Sequence, residues 1–524
     1  MTLTRYNATA ATLTKNRTGA DWCPLSGMCV TCVDGCIGMC EIGKSAYRGH
    51  EVIYPQPFGI ITTASQKDYP VDLSHFNIMG SAVGAYGAEE DSDKAIFPNV
   101  NLETKLGQGD GIKMKLPFVI AGLGSTNVAG QNWEGLAIGS AICGTVLTIG
   151  ENVCGMDVKA EIKNGRVIRS PELERRVKLF KEWQNGYGEI VVQANVEDTR
   201  LKVQEYAIEK LGVLAVELKW GQGAKDIGGE VKIKDLEKAQ LLKKRGYVVL
   251  PDPLAPDVIA EFKKGVFTEF ERHSRIGMVT EESFLKRVEE LRNAGAKYVS
   301  LKTGAYRPID LARAIKYGSK AKVDYITVDG AGGGTGMSPW RMMNEWGVPV
   351  VELWSLTYQY CEHLRKKGEY VPDIVLAGGI VLEDQIFKAF ALSAPFVKAV
   401  GMARAPLAAV MVGKTIGKAI DANELPPYLQ RYGRSKESIF ITAEDLKREY
   451  GKDYEKIPTS AIALYTYYER LAQGLRQFMC GSRKFALKYI SREDIAALTE
   501  QASKASGIPM VSEIDKDAVK KLLG

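Results

Sequence analysis

From about residue 116 onward, short apolar runs alternate with longer stretches in which apolar residues recur every three to four positions. That is the pattern of strands followed by amphipathic helices. Eight runs read as buried strands: Phe118–Leu123, Val146–Glu151, Glu189–Ala194, Val213–Lys219, Tyr298–Lys302, Tyr325–Asp329, Asp373–Ala377 and Val397–Met402. Helical patterns such as EESFLKRVEELRNAG and DLARAIKYGSKA lie between them. Eight strand–helix units over roughly 300 residues predict an α/β fold, a (β/α)8 TIM barrel, with a doubly wound open sheet as the rival topology. The expected organisation is a Cys-rich segment over 1–60, an extended segment wrapping the barrel over 61–115, the barrel over 116–420 and a helical C-terminal extension over 421–524.

Glycines and polar residues gather where the predicted strands end. GLGST follows the first, TIGEN the second, KWGQGAKDIGGE the fourth, VDGAGGGTGMSP the sixth, AGGI the seventh and GMARAP the eighth. Barrel enzymes place their active sites at this end, and often bind phosphate in the loops after strands seven and eight. A bare glycine backbone lets a ligand approach closely and offers N–H groups to an anion. Gly378, Gly379, Gly401 and the backbone of Met402 are therefore the phosphate candidates. Two other glycine patterns miss their templates. In GAGGGTG at 330–336, Thr335 stands where the last glycine of a dinucleotide loop belongs, and Gly413-Lys414-Thr415 has Ala408 in place of the first P-loop glycine.

Cysteine usage adds a second chemistry. Cys23, Cys29, Cys32, Cys36 and Cys40 follow the spacing C-x5-C-x2-C-x3-C-x3-C, whereas the rest of the chain holds four. Gaps of two and three residues suit an iron–sulfur cluster, with [4Fe–4S] the expected type, Cys29, Cys32, Cys36 and Cys40 as ligands and Cys23 as spare or alternative. Zinc would favour two separated C-x2-C pairs, and a disulfide framework is the third reading.

The net charge of +6 on 524 residues is small and interspersed, which argues against a nucleic-acid groove. No apolar run reaches bilayer length, and the N-terminus lacks the apolar core of a signal peptide. Reduced thiols and these absences together predict a cytoplasmic protein.

The run Gly122–Asp157, the KWGQGAKDIGGE and DGAGGGTGMSP loops and the AGG…GMARAP ending resemble, in order and spacing, the FMN-binding domain of glutamate synthases over about 115–415. The resemblance implies an FMN-containing barrel that reductively aminates 2-oxoglutarate to glutamate. It places Gly124, Ser125 and Thr126 along the flavin, with Gly332 and Gly333, and Gly378, Gly379, Gly401 and Met402 at the phosphate end, joined by Arg404. Lys302 corresponds to the lysine facing the flavin pyrimidine, where a cation stabilises negative charge on the reduced ring. Lys225 is similar to the lysine that holds a substrate carboxylate, and Glu151 to a residue contacting substrate or imine.

Three departures accompany it. No cysteine follows the barrel where the family carries its cluster. Residue 2 is Thr, so no N-terminal glutaminase nucleophile is present, and ammonia is expected from solution or a separate glutaminase subunit. Glu230 stands where the family has Gln after the glycine pair, and a carboxylate facing a dicarboxylate substrate repels it unless protonated or turned away. Electrons are expected from ferredoxin or a reductase subunit, and the protein is expected to be oligomeric. The alternatives are an amine–glutamate transferase-type subunit and an FMN oxidoreductase acting on a different acid.

Overall fold

The computed structural model describes residues 46, 65 and 67–524, apart from 89–90 and 336–337. The five N-terminal cysteines lie outside the described residues.

Eight parallel strands close into a barrel in chain order, and Val400–Met402 of the last pairs with Phe118–Ile120 of the first. Five strands have the expected bounds. The other three are Val146–Ile149, Ala215–Lys219 and Tyr298–Thr303. The second strand stops early for a local reason. The Gly150 N–H turns to the Leu123 carbonyl at 3.0 Å, and Asn152 adopts a positive φ of 67°. Glu151 therefore sits in a turn at the barrel mouth instead of in the ladder.

The opposite end of the barrel is plugged. The hairpin Thr104–Leu106/Ile112–Met114 inserts Leu106, Ile112 and Met114 among Val119, Val146, Val191, Ala215, Tyr298, Tyr325, Val375 and Ala399. The Tyr298 hydroxyl donates to Gly111 O at 2.9 Å, and the Gly107 N–H donates to the Asp373 carboxylate at 2.8 Å. The plug closes the barrel interior at this end, opposite the C-terminal mouth where such barrels place their active sites.

The long helix Thr459–Gly481 lies across helices Trp133–Ile142 and Arg404–Asp421. Gly413 allows the approach: a Cβ there would meet Ala463 Cβ at 2.4 Å. Gly413-Lys414-Thr415 is thus a helix-packing feature. Tyr468 is fully buried with its ring centroid 5.0 Å from that of Phe118. Phe76–Ile78 pairs antiparallel with Ile495–Ala497, tying the segment before the barrel to the segment after it.

One connection is much larger than the others. Between Ala215–Lys219 and Tyr298–Thr303 the chain builds an antiparallel sheet in the order Glu230–Ile233, Phe270–His273, Val248–Leu250, with helices Leu236–Lys244 and Pro256–Lys263. Its own core holds Ile233, Ala239, Leu242, Tyr247, Val249 and Phe270, and joins the barrel through Met156. The sequence pattern does not show these strands, because each is only three or four residues long.

Candidate active site

The mouth of the barrel has two chemically distinct ends. At one end a cleft is lined by Lys302, Gly333, Gly378, Gly379, Gly401, Met402 and Arg404, together with Gln222, Ala224 and Asp329. The glycines there are required by geometry. Gly378 has φ +135°, and a Cβ on it would meet Val350 Cγ1 at 2.5 Å and Gly330 O at 2.8 Å. Gly379 has φ +100°, and its Cβ would lie 3.2 Å from Gly332 O. The backbone thus stays bare at the strand-seven end. Helix Arg404–Asp421 begins beside it, so its N-terminal N–H groups and the exposed Arg404 present positive charge to the same place. This end fits a phosphate-bearing group.

Lys302 is buried in the same cleft, with Nζ 3.2 Å from the Asp329 carboxylate. Burial pulls its pKa down, but Asp329 and Glu217 outweigh this and hold it above the ordinary lysine value. Lys302 is therefore a permanent cation. Glu217 accepts from Gln193 Nε2 at 2.5 Å and from the Thr327 hydroxyl at 3.2 Å, which makes a polar layer across strands three to six. Burial pushes the Glu217 pKa up.

At the other end Lys219 bridges Glu151 at 2.7 Å and donates to Gln222 Oε1 at 2.9 Å. Burial opposes ionisation of Glu151, yet Lys219 and Lys225 bring its pKa down to about 2. Lys225 closes the Q-G-A-K turn, with its backbone bridged to Gln222. The turn is held from below: a Cβ on Gly223 would lie 2.1 Å from Gly330 O, and the Ser338 hydroxyl donates to Ala224 O at 2.8 Å. Burial and the like charge of Lys219 lower the Lys225 pKa to about 8, against the pull of Glu151. Lys219 and Lys225 thus both act on the Glu151 carboxylate at this end of the mouth.

The candidates from the first strand fall differently. A Cβ on Gly124 would lie 2.4 Å from Glu151 O, so this glycine lets strands one and two meet, and its carbonyl accepts from Arg176 at 2.9 Å. Thr126 caps helix Asn127–Gln131 through the Ala129 N–H. Ser125 and Thr126 line an outer groove with Lys159 and Arg175, apart from the cleft of Lys302. Gly332 touches the cradle through its carbonyl, beside Gly379. Glu230 lies on the first strand of the insertion sheet, 3.1 Å from Lys232, which also pairs with Glu271. Lys232 is shared among Glu230, Glu269 and Glu271, and the charge of Glu230 is also felt by Lys225. Lys219, Glu217, Gln193, Asp329, Asp198 and Arg272 went unrecognised in the sequence reading. The available signal was a charged pair two residues apart, Glu217 and Lys219, inside an apolar strand run, which places both on one face.

Asp198 is buried, accepts from the Asn152 N–H at 2.8 Å through Oδ2, and leaves Oδ1 without a partner. Burial pushes its pKa up to about 7. Cys143, Cys154 and Cys361 are buried free thiols and Cys480 is half-buried. Among the described residues no three His, Cys, Asp or Glu side chains are grouped to hold a metal. Among them, too, no helix is long and apolar enough to cross a membrane.

The fold is a closed (β/α)8 barrel with a glycine cradle, a buried cation and a lysine–carboxylate cluster at its mouth. Residues 272–414 match the family model described as the conserved region in glutamate synthase. The chain is also 30% identical over 112 residues to the glutamate synthase large subunit-like protein YerD of Bacillus subtilis (strain 168). That match spans 21% of this chain and 21% of YerD. Among solved structures, the flavin-binding domain of baker's yeast flavocytochrome b2 is 12% identical, with TM-score 0.44 over 85% of this chain and 81% of that one. A mandelate oxidase bound to (S)-2-phenylpropionate is 14% identical, with TM-score 0.42 over 80% and 86%.

Proposed function

We propose that this protein is an FMN-dependent oxidoreductase of glutamate synthase type that reductively aminates 2-oxoglutarate, or a related 2-oxo acid, with ammonia. The observation that carries the reading is the two-ended mouth. The glycine cradle and helix N-terminus fit the FMN phosphate, and the Lys219–Glu151–Lys225 cluster fits an acid substrate. Lys302 joins the two, since it lines the cradle and also feels the charge of Glu151. When bound, FMN supplies the hydride that reduces a 2-imino acid.

The chain's own residues do the rest. Lys302, held charged by Asp329 and Glu217, stabilises negative charge that develops in the cleft. Lys225 takes a substrate carboxylate as its counter-ion. Glu151, kept ionised by Lys219, accepts hydrogen bonds from the nitrogen of ammonia or imine and fixes its orientation, the contribution by which positioning lowers the barrier. Glu230 lies 3.1 Å from Lys232, which draws it toward the insertion sheet.

The test is anaerobic. Chemically reduced protein is mixed with 2-oxoglutarate and ammonium, and return of oxidised-flavin absorbance is followed with product analysis. Glutamate formed with reoxidation is the expected result. No reoxidation in flavin-loaded protein would move the assignment to a different acid or to the amine–glutamate transferase.

Electrons enter, in this proposal, through the N-terminal cysteines as a [4Fe–4S] cluster, from ferredoxin or a reductase subunit in the cytoplasm, with ammonia free or delivered by a glutaminase subunit. The support is the cysteine spacing. A Cys32→Ser/Cys36→Ser double variant should lose its iron and keep its flavin, measured by metal analysis and absorbance. Iron content equal to that of the parent would overturn the cluster.

A further inference from the structure

The sheet inserted between barrel strands four and five buries one face. Its register puts Val231 opposite Arg272 and Arg272 opposite Val249, while Ile233 faces Phe270. Residues two apart share a face, so Val231, Ile233, Val249 and Phe270 form an apolar surface with one charged side chain in it, Arg272. That arginine is 1% exposed.

A buried guanidinium is costly unless a carboxylate answers it. None does here. Among the described residues Arg272 makes no ion pair. Its one side-chain hydrogen bond goes to the Ser274 hydroxyl, and its Nε has no partner. Of the nearby carboxylates, Glu197 is engaged with Arg275 at 3.0 Å and Arg200 at 2.8 Å and Glu151 with Lys219, while Asp198 takes the Asn152 N–H through Oδ2, leaves Oδ1 without a partner and makes no ion pair with Arg272.

The guanidinium is held at the barrel mouth. It lies 5.1 Å above the Tyr247 ring, and the Tyr247 hydroxyl donates to Asn152 Oδ1 at 3.5 Å, next in chain to Glu151. Its charge lowers the proton affinity of Lys225, and it feels the charge of Glu151. A planar fork of donors, desolvated and fixed by stacking, is matched by a second carboxylate better than by any neutral group.

We propose that the insertion is a specificity module and that Arg272 is its reading residue. It takes the second acidic group of a dicarboxylic 2-oxo acid whose first carboxylate lies on Lys225. The inference rests on the proposed 2-oxo-acid reading for the identity of the ligand, but not for the cation itself.

The test is calorimetric titration of the flavin-loaded parent and its Arg272→Met variant with 2-oxoglutarate, with pyruvate as the monocarboxylate and with glutarate, which lacks the oxo group. Met matches the length and fills the apolar face, so the ligand-free variant should melt no lower than the parent. Both dicarboxylates should bind the variant weaker by at least about tenfold, with pyruvate unchanged. Arg272→Lys should recover part of the loss. Equal weakening for pyruvate and 2-oxoglutarate, unchanged dicarboxylate affinity, or a parent without dicarboxylate preference would overturn the inference. A melting temperature well below the parent's would make Arg272 a structural residue and overturn it too. Arg272-dependent glutarate binding without 2-oxoglutarate-driven flavin reoxidation would instead retain the anion role and reject the proposed reaction.

Discussion

Lys225→Ala is expected to abolish 2-oxo-acid-dependent reoxidation of the reduced protein while leaving its flavin content at the parent level. The two parts of the result come from different ends of the mouth. Lys225 closes a turn among Lys219, Glu151 and Gln222, whereas the cradle is built from Gly378, Gly379 and the start of helix Arg404–Asp421. Removing one partner of a desolvated charge pair costs about 2–5 kcal/mol, so kcat/KM should fall by roughly 30- to several-thousand-fold. Reaction of the reduced flavin by stopped flow, with flavin released and counted after denaturation, separates the two. A variant that loses flavin, or that reoxidises at the parent rate, removes Lys225 from the substrate site. A pH profile adds a check with a definite sign. With its pKa lowered to about 8, Lys225 is charged below that pH and neutral above it. Substrate affinity should therefore fall as pH rises through about 8, by up to about tenfold per unit. Lys225→Arg, which keeps its charge, should flatten that fall.

Gly378→Ala should empty the flavin site with the fold intact. At φ +135° an alanine is strained by about 1–3 kcal/mol, and its methyl would sit 2.5 Å from Val350 Cγ1 and 2.8 Å from Gly330 O. Gly330 belongs to the strand-six loop that supports the Q-G-A-K turn, so relief of the clash shifts both loops of the mouth. Flavin per chain should drop below about a tenth of the parent, as expected for a displaced phosphate cradle, while far-ultraviolet circular dichroism is unchanged. Full flavin occupancy in this variant would place the phosphate elsewhere on the rim, and the groove of Ser125 and Thr126 with Lys159 and Arg175 would be the next candidate.

The strands were legible because each barrel strand is largely buried and carries a short apolar run, and five of the eight have the predicted bounds. Glycine loops were legible because bare backbone leaves its mark directly in residue type. The plugging hairpin at 104–114 was not, since its strands are only three residues long. The role of Gly413-Lys414-Thr415 was half legible. Its departure from a phosphate loop can be read, but its contact with Ala463 across 50 residues cannot. Ser125 and Thr126, adjacent to the strand-one glycine in sequence, turn outward because Thr126 is spent as a helix cap.

What the sequence determined by itself is the barrel, its chain order and the end at which chemistry gathers. Those follow from local periodicity and from conformations that glycine alone adopts freely. What only the tertiary structure decided is which charges meet: Lys219 with Glu151, Lys302 with Asp329, Glu230 with Lys232, and Arg272 with no carboxylate among the described residues. An isolated lysine or arginine in a sequence has no assigned counter-charge. The pairing, and with it the pKa and the capacity to hold an anion, exists only once strands distant in the chain have closed into a ring and the insertion has folded over its mouth.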